Sequence, residues 1–171
     1  MKLVFFQRDQ GIVNRMMPML SALLCVIASI VPLHLPGFAE VAPGFVLMAA
    51  FHWSIYRPDL LPFSAVFAAG LCLDLLNGAP LGISSLVFLI ARAVILSQRK
   101  VFVGRSFAVV WAGFLALVAA AEALEWALAS ALNAMLIDPR PFLFQAVLTV
   151  ALYPVVSYLL ARVQRNLLMR A

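Results

Sequence analysis

Four ionisable side chains, Asp74, Arg92, Glu122 and Glu125, stand inside otherwise apolar stretches of the chain. Such groups are costly in a bilayer, and each is a functional hypothesis by default. Asp74 and Asp138 could share a proton as a membrane aspartic peptidase dyad does. Asp138, however, belongs to the turn Asp138-Pro139-Arg140-Pro141, where proline rigidity and the adjacent arginine account for it. An intramembrane serine protease needs a serine and a later histidine on facing helices. Here Ser84 and Ser85 follow both His34 and His52, and the two histidines fall at opposite membrane faces. No HExxH motif and no glycine-rich phosphate loop occurs, which removes the metalloprotease and phosphate readings. Cys25 and Cys72 form neither a CxxC pair nor a Cys/His cluster, so they argue for neither a disulfide framework nor zinc. The residues therefore predict no enzyme, no cofactor and no metal.

The elements that must position these groups follow from composition. Of the 171 residues, 65% are hydrophobic and 11% charged, and mean hydropathy is +1.07, whereas a soluble domain is about half apolar and a quarter charged. A bilayer span takes about 20 apolar residues, so a single transmembrane domain fills residues 1–171. Six apolar runs can be delimited: Met16 to Leu35, Val41 to Tyr56, Leu60 to Leu76, Leu81 to Leu96, Phe107 to Leu132 and Phe142 to Ala161. Prolines 18, 43, 62, 80 and 141 mark their starts, because a helix's first turn can do without its N–H groups. Pro154 predicts a kink in the last run. Segments of alternating polarity, which a β-barrel needs, are absent. The fold class is an all-α integral membrane protein, a six-helix bundle.

With a cytoplasmic N-terminus, ten of the twelve Lys and Arg residues face the inside, Arg140 lies outside and Arg92 lies within the fourth span. That positive-inside bias predicts two cytoplasmic termini. Anionic inner-leaflet lipid explains the net charge of +5 without nucleic acid. Residues 1–15 mix apolar and basic side chains, as either an interfacial segment or a cytoplasmic tail would, and 162–171 form a basic tail. No cleavage or lipoprotein signal follows the first span, which reads as a retained anchor.

Helical spacing puts Phe63, Phe67, Gly70, Asp74 and Asn77 on one face of the third span. Gly70 permits close helix approach, and Asp74 could accept hydrogen bonds from the backbone of Gly82 to Ser85, where a starting helix has unpaired N–H groups. The favoured reading is a carboxylate clamping the turn Gly78-Ala79-Pro80; ligand or proton binding is the other. Glu122 and Glu125 lie roughly 23 and 27 Å along the fifth helix from Phe107 at about 1.5 Å per residue, in the outer third of the bilayer. Either they form an outer-rim pair facing water, or they form a polar patch that recognises a partner helix or lipid headgroup. Arg92, near the inner end of its span, is expected to snorkel to the cytoplasmic headgroups rather than to meet an outer carboxylate. Trp53, Tyr56 and Trp126 fit aromatic belts. Small residues repeat every fourth position in the fifth span, as Ala112, Ala116 and Ala120 and as Ala119, Ala123, Ala127 and Ala131. They fit internal packing or a groove for another protein's transmembrane helix.

The stretch from Phe45 to Val101 resembles the rod shape-determining MreD family. WSIYRP, from Trp53 to Pro58, is similar to that family's exit from the second span, and GLCLDLLNGAPLGISSL carries Gly70, Asp74, Leu75, Gly78, Leu81 and Gly82 of its central pattern. Weaker likeness continues through Arg140-Pro141 and Tyr153-Pro154, where the family commonly has Trp-Pro. The resemblance implies a non-catalytic inner-membrane subunit of the cell-elongation complex. Its partner would be the single-span protein MreC, with MreB, RodA and a class B penicillin-binding protein indirectly, in lateral peptidoglycan synthesis. Ala119, Glu122, Ala123, Glu125 and Ala127 are the candidate partner-binding set, and Gly70, Asp74, Asn77, Gly78, Pro80 and Gly82 the candidate clamp. The family's six-helix form is also similar to the substrate-binding subunits of energy-coupling-factor transporters, which implies capture of a small molecule or lipid as a second function.

Overall fold

The computed structural model describes residue 21, residues 23–29 and residues 42–168. All regular structure among them is helical. Helix α1 is seen at 23–29, α2 spans Phe45–Tyr56 and α3 Phe63–Asn77. Next come α4 over Ile83–Phe102, α5 over Phe107–Leu132 and α6 over Arg140–Leu168. A short 3₁₀ turn, Pro58–Leu60, joins α2 to α3. The Phe107–Leu132 limits coincide with the apolar run. Helix α4 runs six residues past Leu96, since Ser97, Gln98, Arg99 and Lys100 interrupt the apolar run but not the helix. Most of the run Met16 to Leu35, together with Pro18, His34, residues 1–15 and residues 169–171, lies outside the described residues.

Among the described residues, two helices are long and apolar enough to cross a membrane, Phe107–Leu132 and Arg140–Gln164. The apolar helices α2 and α3 are shorter, at 12 and 15 residues. The radial distribution of polarity is that of a protein surrounded by lipid. Leu75, Leu86, Ile90, Val94, Leu115, Val147 and Val155 are exposed, while His52, Ser54, Asp74, Arg92, Glu122 and Thr149 are buried. An apolar exterior of that extent marks contact with membrane or protein in place of water.

Helix α2 is the axis of the core, buried at every residue from Val46 to Ile55. It packs against α4 and α6, while α4 also packs against α3 and α5. The Phe51 ring meets Phe102, Phe114 and Tyr153 at centroid separations of 5.9, 5.0 and 5.7 Å, and Phe114 stacks on Tyr153 at 4.1 Å. Offset and edge-on pairs of this kind add to simple burial. Trp53 joins this core and does not sit in an aromatic belt: it is fully buried and its indole N–H donates to Ser21 Oγ at 2.9 Å. A belt residue keeps its polar edge at the headgroups, but this one finds its acceptor in a serine side chain 32 residues away. Trp126 donates to the Ile137 carbonyl at 2.8 Å.

Helix α6 runs on through Pro154. Proline has no N–H, so the Val150 carbonyl one turn earlier loses its intrahelical donor. Trp111 of α5 supplies a replacement, its Nε1–H donating to Val150 O at 3.2 Å. One residue before Val150, Thr149 Oγ1 accepts the Gly44 N–H at 2.9 Å, which ties the start of α2 to α6.

Candidate functional site

The turn between α3 and α4 is built by two left-handed glycines. Gly78, with φ of 65°, ends α3 and lets the Ala79 N–H reach back to the Asp74 carbonyl at 3.0 Å. Gly82, with φ of 100°, precedes α4. Side chains with a Cβ rarely adopt either conformation. Asp74 is fully buried, and its Oδ2 accepts the Gly82 N–H at 2.8 Å while Oδ1 accepts the Ser84 N–H at 3.2 Å. Both donors belong to the first turn of a helix, which has no intrahelical acceptor for them and whose dipole favours an anion.

Close approach of the two helices makes those bonds possible. A Cβ on Gly70 would lie 2.5 Å from Ser85 Cα and 2.7 Å from Ser85 N, so only glycine fits there without moving backbone. Beside it, the Ser85 hydroxyl donates to the Phe67 carbonyl at 3.1 Å. Of the six candidate clamp residues, Asp74 and Gly82 bond directly, Gly70 lies against Ser84 and Ser85, Gly78 and Pro80 shape the chain reversal, and Asn77 lines an adjacent cavity.

Glu122 and Glu125 do not form an outer-rim pair facing water, nor do they lie on a lipid-facing patch beside the alanine row. Glu122 is 6% exposed, and Glu125 Oε1 accepts the Ser84 hydroxyl at 3.0 Å. Both line a cavity of 490 Å³ shared with Asn77, Ser84 and Gln145. The five-residue set therefore divides: Ala119, Ala123 and Ala127 are exposed, and the two carboxylates point inward. At 3.6 residues per turn, Ala112, Ala116 and Ala120 fall on that same exposed face, so the two alanine rows merge into one strip. An apolar groove of 320 Å³ beside it is lined by Gly113, Ala116 and Ala120 of α5 and by Ile90 and Val94 of α4.

Arg92 also departs from its expected placement. It does not snorkel to headgroups but is buried at 3% exposure. Its guanidinium donates to Ser54 Oγ at 2.8 Å and to the Pro58 carbonyl at 3.1 Å, and lies 4.7 Å over the Phe63 ring. The fork geometry of arginine lets one residue of α4 hold α2, the 3₁₀ turn and α3 together. Seven residues on, Arg99 donates to the Ile55 carbonyl at 2.7 Å.

Asp138 does not join Asp74. It is exposed, accepts the Arg140 N–H at 3.0 Å and pairs with that side chain at 3.9 Å, whereas both Asp74 oxygens are engaged by α4. His52 is buried and its Nε2 meets Gln164 Oε1 at 3.3 Å. Among the described residues no three His, Cys, Asp or Glu side chains gather as a metal site. Sequence reasoning passed over Ser54, Thr149 and Gln145. The signal available was a polar residue amid apolar neighbours, which has to find a partner across helices.

A helical protein with its apolar surface outside, its polar groups bonded between helices and two helices long enough to cross a bilayer has the build of a membrane protein. The chain matches the family model of the rod shape-determining protein MreD over residues 10–163, and it belongs to that family. Membership makes it a membrane-associated determinant of rod shape, in a family of structural proteins not known as enzymes. Neither the curated proteins nor the solved structures contain a match.

Proposed function

We propose that this chain is a non-catalytic, six-span inner-membrane subunit of the cell-elongation complex, a single transmembrane domain with both termini cytoplasmic. It binds MreC and thereby supports lateral peptidoglycan synthesis, with MreB, RodA and a class B penicillin-binding protein as indirect partners. The family match over residues 10–163 carries this reading. The docking surface is the exposed strip of α5 centred on Ala119, Ala123 and Ala127, because in lipid helices associate by close packing, and small side chains allow it. With Glu122 and Glu125 turned inward, recognition on this face rests on shape.

Affinity purification in mild detergent tests it. Ala123→Leu should lower MreC recovery severalfold while leaving the abundance of this protein near normal; unchanged recovery eliminates the α5 strip, and loss of the protein itself makes the strip internal packing. A reporter fused after Ala171 should be active only as a cytoplasmic reporter. Activity of a periplasmic reporter there refutes the six-span topology.

A further inference from the structure

The 490 Å³ cavity beside the α3–α4 turn is lined by two carboxyl groups and, among the described residues, by no cationic side chain. Its polar lining is Ser29, Asn77, Ser84, Glu122, Glu125 and Gln145, and Leu73 and Phe88 are among its apolar walls. Asp74 adds negative charge close to Glu125. The described arginines nearest in role are engaged elsewhere: Arg92 with Ser54 and Pro58, Arg99 with Ile55, and Arg140 with Asp138. Glu125 has the Ser84 hydroxyl. Glu122, by contrast, is 6% exposed, and its Oε2 is sealed from solvent without a hydrogen-bond partner.

Burying a polar oxygen unpaired is costly in an apolar setting, and a buried unsatisfied group in a native fold calls for a partner. The chemistry of that partner follows from the walls. A metal ion of the calcium type takes about six to eight oxygen ligands, and no group of three or more metal-ligating side chains is assembled among the described residues. A primary ammonium needs only acceptors for three N–H donors. Glu122, Glu125 and the Gln145 and Asn77 amides supply acceptors, and the volume leaves room for the remainder of a small organic ion.

We propose that this cavity binds the primary ammonium group of an amine ligand, either a lipid ethanolamine headgroup or a free aliphatic amine, with the Glu122 carboxylate as its main acceptor. This site lies on the inward side of α5, opposite the alanine strip, and is independent of MreC docking.

The test uses the full chain in detergent micelles, followed by native mass spectrometry with phosphatidylethanolamine, phosphatidylcholine and phosphatidylglycerol added separately. Phosphatidylcholine presents a cation without N–H donors, and phosphatidylglycerol presents no cation. The wild type should retain phosphatidylethanolamine at least about tenfold more than either, since phosphatidylcholine withholds the N–H donors and phosphatidylglycerol the positive charge, and Glu122→Gln should abolish the preference. If lipid is not discriminated but ethanolamine or 1,5-diaminopentane raises the thermal midpoint of the wild type and not of Glu122→Gln, the ligand is a free amine. Equal retention of all three lipids with no shift by either amine overturns the proposal on the wild type alone, whatever the variant's folding. A preference that persists in a well-folded Glu122→Gln, Glu125→Gln double variant overturns it too. MreC recovery should be unchanged in Glu122→Gln, which separates failure of this site from failure of the docking face.

Discussion

Substituting Gly70 by alanine sets two effects of opposite sign against each other. In a helix interior alanine is favoured over glycine by about 1 kcal/mol, so propensity alone makes Gly70→Ala stabilising. The added Cβ, however, would meet Ser85 Cα at 2.5 Å, Ser85 N at 2.7 Å and Ser84 C at 3.0 Å. Carbon atoms rest at about 3.5 Å or more, so the first turn of α4 must withdraw from α3 by roughly 1 Å. These are backbone atoms, and no rotamer change relieves them. Withdrawal stretches the bonds from Gly82 and Ser84 to Asp74, now 2.8 and 3.2 Å, to about 3.8 and 4.2 Å, beyond hydrogen-bond length. Overpacking costs about 1–3 kcal/mol and stranding buried donors about 1–3 kcal/mol more. After the gain in propensity, the net loss is about 1–5 kcal/mol. Thermal unfolding of the detergent-solubilised protein, followed by fluorescence-detected size exclusion, should show a clearly lowered midpoint and reduced abundance. A midpoint equal to or above that of the wild type refutes the close contact and the clamp with it.

Further substitutions probe this clamp and the other polar ties of the bundle. Asp74→Ala should reduce steady-state abundance, since it leaves two N–H donors unpaired at about 1–3 kcal/mol each; normal abundance with lost rod shape would move Asp74 from holding the turn to direct function. Arg92→Lys should lower the unfolding midpoint although the charge is kept, because a point charge cannot serve Ser54 and Pro58 as the guanidinium fork does; an unchanged midpoint means those bonds contribute nothing. Trp111→Phe should cost about 1 kcal/mol by exposing the Val150 carbonyl, and in a Pro154→Ala background, where the helix supplies its own donor, it should cost almost nothing. Equal costs in the two backgrounds refute the compensation.

What the sequence makes legible here is local. The limits of α5 are readable because apolar run and helix coincide, and the Asp74 bonds to Gly82 and Ser84 join residues no more than ten apart across a turn punctuated by Gly78 and Gly82. The facing of side chains around each helix is another matter. In α2, α3 and α5 nearly every position is apolar, so periodicity, which separates inside from outside in a soluble helix, carries no signal. Trp53 could therefore be placed at a membrane boundary when it belongs to the core. Glu122 could be placed beside Ala123 on an outer face when it turns inward. Arg92 depends on Ser54 and Pro58, at 38 and 34 residues' separation, and no local pattern announces such partners.

The distribution of polar ties also bears on how a determinant of rod shape could act. In lipid, burying apolar surface gives helices no drive to associate, so hydrogen bonds and close packing fix their arrangement. Helix α4 carries ties near both ends. Near its start, Ser84 and Ser85 reach Glu125 of α5 and Phe67 of α3, and toward its finish Arg92 and Arg99 reach α2 and the turn after it. Trp111 and Thr149 then link α6 to α5 and to the start of α2. Every one of these ties is spent within the bundle. The outer strip of α5, backed by α4 on one side and α6 on the other, is left smooth, free of charge and already held in place. A partner helix meeting such a surface loses its own freedom but none of the bundle's, and that saving favours association. If the α5 strip is the docking face proposed above, it would transmit the position of one membrane protein to another through contact alone.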